Sequence, residues 1–135
     1  MARSQRPQAS QRDPRTAIPL SEQAFFVLLA LVDDERHGYG IMRDVEERTN
    51  GAMKLGAGTL YGLLKRLLAA GIVDEADERP DPELDDQRRR YYRLTAFGAA
   101  VLAAETRRLE ELIRAARPKR ARIEAGSRGL KPRPA

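Results

Sequence analysis

The chain reads as a mainly α-helical fold with one small antiparallel β-hairpin, and three patterns predict it. Apolar stretches with helical spacing follow one another between residues 21 and 70. Two short runs in which the helical period is lost come next, parted by a loop dense in Pro and Asp. A long Ala-rich stretch whose apolar positions recur near every seventh residue closes the folded part.

Taken in order, residues 1–20 are rich in Arg, Gln, Ser and Pro and poor in large apolar side chains. They cannot bury enough surface to offset ordering, so they are expected as a disordered basic tail. Ser21 is placed to cap a helix whose Phe25, Phe26, Leu28, Leu29, Leu31 and Val32 are buried on most sides. The turn His37-Gly38-Tyr39-Gly40 interrupts it. From Tyr39 to about Thr49, Ile41, Met42 and Val45 share one side and charges the other, an amphipathic helix ending at Asn50-Gly51. A third helix runs from about Ala57 to Ala70 and stops at Gly71, a natural left-handed cap.

The period then changes. Ile72 to Glu78 and Arg88 to Thr95 read as strands, and the intervening RPDPELDDQ supports neither strand nor helix. Thr95 caps a last helix expected to reach about Arg117, with Pro118 as its stop. Its apolar stripe needs a partner, which makes Val101, Leu102, Leu109, Leu112, Ile113 and Ala116 the candidate subunit contacts of a homodimer. Residues 118–135 repeat the composition of a disordered basic tail. The domain plan is therefore a tail at 1–20, a folded domain at 21–94, a dimerisation helix at 95–117 and a second tail.

The length of 135 residues suits one small core. The absence of cysteine excludes a disulfide frame and a thiolate metal site. No apolar run approaches the roughly 20 residues of a membrane span, so a soluble cytoplasmic protein is expected. The net charge of +5 suggests nucleic acid, yet it belongs to the tails. Residues 1–20 carry four Arg against Asp13, and residues 118–135 carry six Lys/Arg against Glu124, or +3 and +5, which leaves −3 for the body. A DNA-binding body must rest on local placement of charge.

The third helix supplies that placement. With Leu60 at zero and about 100° per residue, Leu63, Leu64, Leu67 and Leu68 fall within about 80° of it. Gly58, Lys65, Gly62, Arg66 and Thr59 fall between about 140° and 260°. The outer face is thus small at its centre and basic at its flanks, and a groove-binding helix gains from glycine where its backbone must come close. Three helices followed by a hairpin is the order of a winged helix-turn-helix domain, whose third helix enters the major groove. The candidate DNA contacts in this part of the chain are Tyr39, Lys54, Gly58, Thr59, Tyr61, Gly62, Lys65 and Arg66.

Over roughly residues 24–117 the chain resembles the PadR-like transcriptional regulators. FFVLLALVDDERHGYGI is similar to that family's opening helix and His-Gly-Tyr turn, GAGTLYGLLKRLLAAGIV to its recognition-helix signature, and RRRYYRLTAFG to its second wing strand. The resemblance implies a dimeric repressor of a roughly palindromic operator, with the last helix packed on a partner subunit. It also implies DNA contacts at Thr59, Tyr61 and Lys65, and a wing meeting the backbone at Arg88 to Arg90. Two features depart from the family. Gly62 stands where proline is common, and the wing tip from Asp74 to Asp86 carries eight acids against Arg79, which directs the tip away from phosphate. Relatives in the family respond to small hydrophobic or phenolic compounds; here either Phe25, Phe26 and Phe97 line the cavity for such an effector or no small-molecule effector exists.

Other chemistries find little support. One histidine, His37, in a glycine-bounded turn reads as structural, and no metal site is expected. The Gly-x-Gly patterns at 38–40 and 56–58 lack a nucleotide-binding context, no nucleophile has a plausible base, and neither a cofactor nor an enzyme activity is expected. The alternative from another class is a dimeric helical adaptor that works through its last helix without operator binding.

Overall fold

The computed structural model describes residues 12–76 and 90–126. A 3-10 turn at Pro14–Ala17 precedes α1 (Glu22–Ala30), β1 (Arg36–His37), α2 (Gly38–Arg48), α3 (Ala57–Ala69), β2 (Val73–Ala76), β3 (Tyr91–Leu94) and α4 (Ala96–Ala125). The chain to Glu105 forms one compact unit, and the remainder from Thr106 forms a second. This is a winged-helix architecture, mainly helical with a small antiparallel sheet.

The expected hairpin gains a third strand. The sheet order is β1-β3-β2, with Arg36 opposite Tyr92, His37 opposite Tyr91, and Val73 opposite Leu94. On the inner face Tyr92 is buried among the core side chains, whereas Arg93 points outward to Glu35 at 3.9 Å and Asp74 at 4.0 Å. Such exposed pairs contribute little to stability, so the sheet rests on its buried face.

That core is assembled from one stripe of each helix. Val27 and Leu28 of α1, Ile41 and Val45 of α2, Leu60, Leu63, Leu64 and Leu67 of α3, and Phe97 and Val101 of α4 meet Val73 and Tyr92 of the sheet. Helix ends follow local chemistry. Ser21 Oγ accepts the Ala24 N–H at 3.0 Å and starts α1. At the far end of α3, Gly71 adopts φ +75°, which lets Ile72 N–H reach the Leu67 carbonyl at 3.0 Å and Gly71 N–H reach Leu68 at 3.1 Å.

Thr95 joins the end of α3 to the start of α4. Its hydroxyl donates to the Gly71 carbonyl at 2.7 Å, with the Ile72 carbonyl 3.0 Å away, and accepts the Gly98 N–H at 2.9 Å. Its own N–H bonds the Ile72 carbonyl at 3.1 Å. Gly98 completes the junction, because a Cβ there would overlap the Ile72 carbonyl oxygen and stand 2.9 Å from Leu94 Cδ1.

Three expectations need correction. Residues 12–20, expected within a disordered tail, are folded onto the domain: Ala17, Ile18 and Leu20 pack against the core, and Leu20 N–H donates to the buried Glu105 Oε2 at 2.9 Å. Residues 1–11 and 127–135 lie outside the described residues. The last helix does not stop at Arg117 but continues through Pro118 to Ala125. Proline in a helix interior costs about 3 kcal/mol, but strong helix formers flank it here and water can satisfy the carbonyl freed on this exposed stretch. Finally, Val101 and Leu102 belong to the domain core, at 0% and 7% exposure, and are not free for a partner subunit.

Gly98→Ala is expected to destabilise the protein by at least about 2 kcal/mol, read as a lowered urea midpoint, because a backbone oxygen cannot yield as a side chain can. An unchanged midpoint would remove this contact from the fold's supports. Burial holds the Tyr92 phenol above its ordinary pKa, aided by the nearby Glu75 carboxylate and opposed by Arg90. A raised folded-state pKa favours the protonated phenol, so its contribution is present below about pH 10 and is lost as pH rises further. Phenolate absorbance in an alkaline titration should show one tyrosine ionising late, and Tyr92→Phe should abolish that late component.

Candidate nucleic-acid interface

The site is built on the pair α2 and α3 and the turn between them. His37 begins α2, its Nδ1 accepting the Gly40 N–H at 2.9 Å while its ring meets Tyr91 edge-on at 5.3 Å. The sole histidine is therefore a cap, as its glycine-bounded setting suggested. Asn50 in the left-handed region, φ 53°, ends α2, with Gly51 N–H on the Glu46 carbonyl at 2.8 Å. Buried Leu55 plugs the turn, and Gly56 opens α3 without a side-chain cap. The first amides of α3 are thus not taken up by a capping side chain, which suits an anionic group.

The predicted faces of α3 are observed. Leu60, Leu63, Leu64 and Leu67 are buried, and Leu68 is half-buried at the edge. Gly58, Thr59, Lys65 and Arg66 are exposed, and Gly62 is half-buried by its own helix. A Cβ at Gly58 or Gly62 would meet nothing within 4 Å, so the middle of this face is open space. Lys65 and Arg66 pair with no described carboxylate, whereas Arg48 of α2 is tied to Asp44 at 3.1 Å.

Tyr61, at the edge of the core face and as fit to pack as to touch DNA, packs against α2. Its hydroxyl is buried and lies where a Cβ at Gly38 would stand, with Tyr61 Cζ only 2.6 Å from that point. The ring closes the joint between α2 and α3, and the hydroxyl is not offered to a groove. The other candidates are dispersed. Tyr39 is exposed in the first turn of α2, and Lys54 in the turn lies 4.0 Å from Glu46. Arg90 is exposed before β3, while Arg88, Arg89 and the acidic wing tip lie outside the described residues. Sequence reasoning passed over Arg43, exposed on α2 one helical turn beyond Tyr39; its spacing from Tyr39 was the available signal.

The candidate effector phenylalanines do not form one surface. Phe25 and Phe26 are half-buried and edge-to-face at 5.7 Å, but Phe97 is 1% exposed, with the Arg12 guanidinium 3.9 Å from its ring centroid. An open groove of about 340 Å³ elsewhere on the unit is lined by Leu31, Val32, Asp33, Arg93 and Ala99 and by none of the three. On α4, Leu109 is half-buried, and Leu112, Ile113 and Ala116 are exposed. Ile123 joins these exposed apolar side chains, beyond where Pro118 was expected to end the helix. Among the described residues no acidic or histidine cluster is placed to hold a metal, and no helix is long and apolar enough to cross a membrane.

Residues 27–104 match the model of the transcriptional regulator PadR-like family. An uncharacterized protein from Lysinibacillus sphaericus is 29% identical over 77 residues, 57% of this chain and 68% of that one. Among solved structures, a PadR family transcription regulator from Clostridium difficile R20291 is 20% identical with a TM-score of 0.60, over 73% of this chain and 97% of the other. A complex structure of hsRosR-S4 is 27% identical with the same TM-score, over 84% and 91% of the two chains.

The joint between α2 and α3 can be tested by a pair of substitutions. Gly38→Ala should destabilise the protein by about 1–3 kcal/mol by forcing Tyr61 to move, and Tyr61→Leu should recover about 1 kcal/mol of that in the double variant. Strict additivity in urea unfolding would mean that the two residues do not touch.

Proposed function

The chain belongs to the PadR-like family of transcriptional regulators, DNA-binding proteins rather than enzymes, and from that premise we propose that it is a homodimeric repressor of a roughly palindromic operator. The observation that carries this reading is the outer face of α3, where Gly58 and Gly62 leave open space between exposed Thr59, Lys65 and Arg66. A helix without side chains along the centre of its exposed face can bring its backbone close to base edges. Lys65 and Arg66 then reach phosphates or guanine, Thr59 reads a base or sugar from the first turn, and the uncapped amides of α3 favour a phosphate.

Tyr39, Lys54 and Arg43 are placed to steady the duplex from α2 and the turn, and Arg88, Arg89 and Arg90 from the wing. Leu109, Leu112, Ile113, Ala116 and Ile123 supply the apolar surface by which two copies associate, and a two-fold pair of α3 helices matches a palindromic site. Release by a small hydrophobic or phenolic effector completes the proposal, with Phe25 and Phe26 as its aromatic contact, since Phe97 is occupied by the core and Arg12. The work is cytoplasmic, where the DNA is. An adaptor that ignores DNA would leave the open, basic face of α3 without a use.

Two substitutions on α3 test the assignment, using the duplex that the wild-type protein enriches from random-sequence DNA. Lys65→Ala should weaken binding and lower the slope of log affinity against log salt by about one, the signature of one lost phosphate contact. Gly62→Ala should stabilise the free protein by about 0.5–1 kcal/mol yet bind the same duplex more weakly. Unchanged affinity and slope in both would remove α3 from the interface.

A further inference from the structure

Residues 12–20 precede the stretch that matches the family, yet they are fastened to the domain at both ends. At one end Arg12 Nη1 donates to the Ala70 carbonyl at 2.9 Å, and the same guanidinium lies 3.9 Å over the Phe97 ring. The choice of carbonyl has a physical reason. The left-handed Gly71 lets its own amide and that of Ile72 satisfy Leu68 and Leu67, but the carbonyl of Ala70 lies past those bonds, at the negative end of the helix. A cation supplied from far away in sequence satisfies it, and its other contact is the first turn of α4.

At the other end the Leu20 N–H donates to Glu105 Oε2 at 2.9 Å, a carboxylate 1% exposed on the core side of α4. Between the anchors the segment is itself ordered. Asp13 accepts the Arg15 N–H at 2.9 Å and pairs with its guanidinium, and Ile18 packs on the core. The segment therefore spans from the last turn of the recognition helix to the stretch of α4 that ends the compact unit.

We propose that residues 12–20 are a positioning strap that fixes α3 relative to α4, with Arg12 as the positioning residue, a role that rests on the operator reading above. In a pair of copies joined through α4, the separation and tilt of the two α3 helices pass through this junction. Half-site spacing on DNA is a geometric demand, so slack at the junction weakens binding to the preferred spacing and blurs the distinction between spacings. Arg12 is engaged by Ala70 and Phe97 and contributes no phosphate contact.

The test uses the full chain, the duplex enriched by the wild-type protein, and versions with one base pair added or removed between the half-sites. Arg12→Ala, checked for folding by circular dichroism, should bind the preferred spacing about tenfold more weakly, the scale of one charge-assisted hydrogen bond. It should also discriminate less between spacings, at an unchanged salt slope. Arg12→Gln, which keeps a donor for Ala70 and gives up the cationic stack, should fall between, and Arg12→Lys should recover part of the loss. Folded Arg12→Ala protein with wild-type affinity and spacing profile would overturn the strap while leaving the operator reading intact. A salt slope lower by about one would overturn it too, by making Arg12 a phosphate ligand. Failure of the wild-type protein to enrich any sequence would overturn the operator reading and, with it, the strap's part in it.

Discussion

The junction at Thr95 is the constraint on which the arrangement depends. At this one place α3 ends, β2 starts, β3 returns and α4 begins, and one threonine hydroxyl serves the first and last of these events. Gly71 supplies the left-handed turn that directs the chain into β2, and Gly98 allows the Ile72 carbonyl to come within contact of α4. Remove either glycine and the turn is strained or the helices separate. The motifs Leu-Thr-x-x-Gly and the closing glycine of α3, distant in sequence, are two halves of this one contact. It ties the end of α3 to the first turn of α4.

Charge is distributed with the same economy. The body of the chain is acidic on balance, yet several of its carboxylates are committed elsewhere: Asp44 to Arg48 and Arg36, Glu35 and Asp74 to Arg93, Glu105 to the backbone of Leu20. Exposed pairs of this kind add little stability. Their effect is local neutrality, and among the described residues no carboxylate pairs with the cations on the outer face of α3. A formal sum over the sequence hides this, because it weighs tails and body alike.

What the sequence made legible was what periodicity can carry. The leucines of α3 lie on one face because 3.6 residues make a turn, and every inward position from Leu60 to Leu67 is buried as that period requires. Ser21 and Gly71 announced helix ends through chemistry confined to a few residues. Contacts between distant residues stayed hidden. Strand β1 is two residues long, too short for any alternation to show. Tyr61 turned inward because Gly38, far upstream, leaves room for it. Arg12 and Leu20 looked like tail because their composition is polar, although single contacts to Ala70 and Glu105 fix them. Pro118 is a stop only where strong helix formers do not surround it, and here they do. The exposed and buried faces of α3 were thus readable from its period, whereas the seat of Tyr61 against Gly38 was not.

The open space above Gly58 and Gly62 has a consequence for descent. Most positions in a small domain are bound to their neighbours, so a change of side chain is first a change in fold. Here a side chain added at two positions in the middle of the outer face would meet nothing, and their helix rests on the opposite row of leucines and on Tyr61 at its edge. New side chains can be tried there without disturbing the core. On the proposed operator reading, lineages of such proteins acquire new preferences by single steps that leave folding intact, with these two glycines as the unwritten part of the surface.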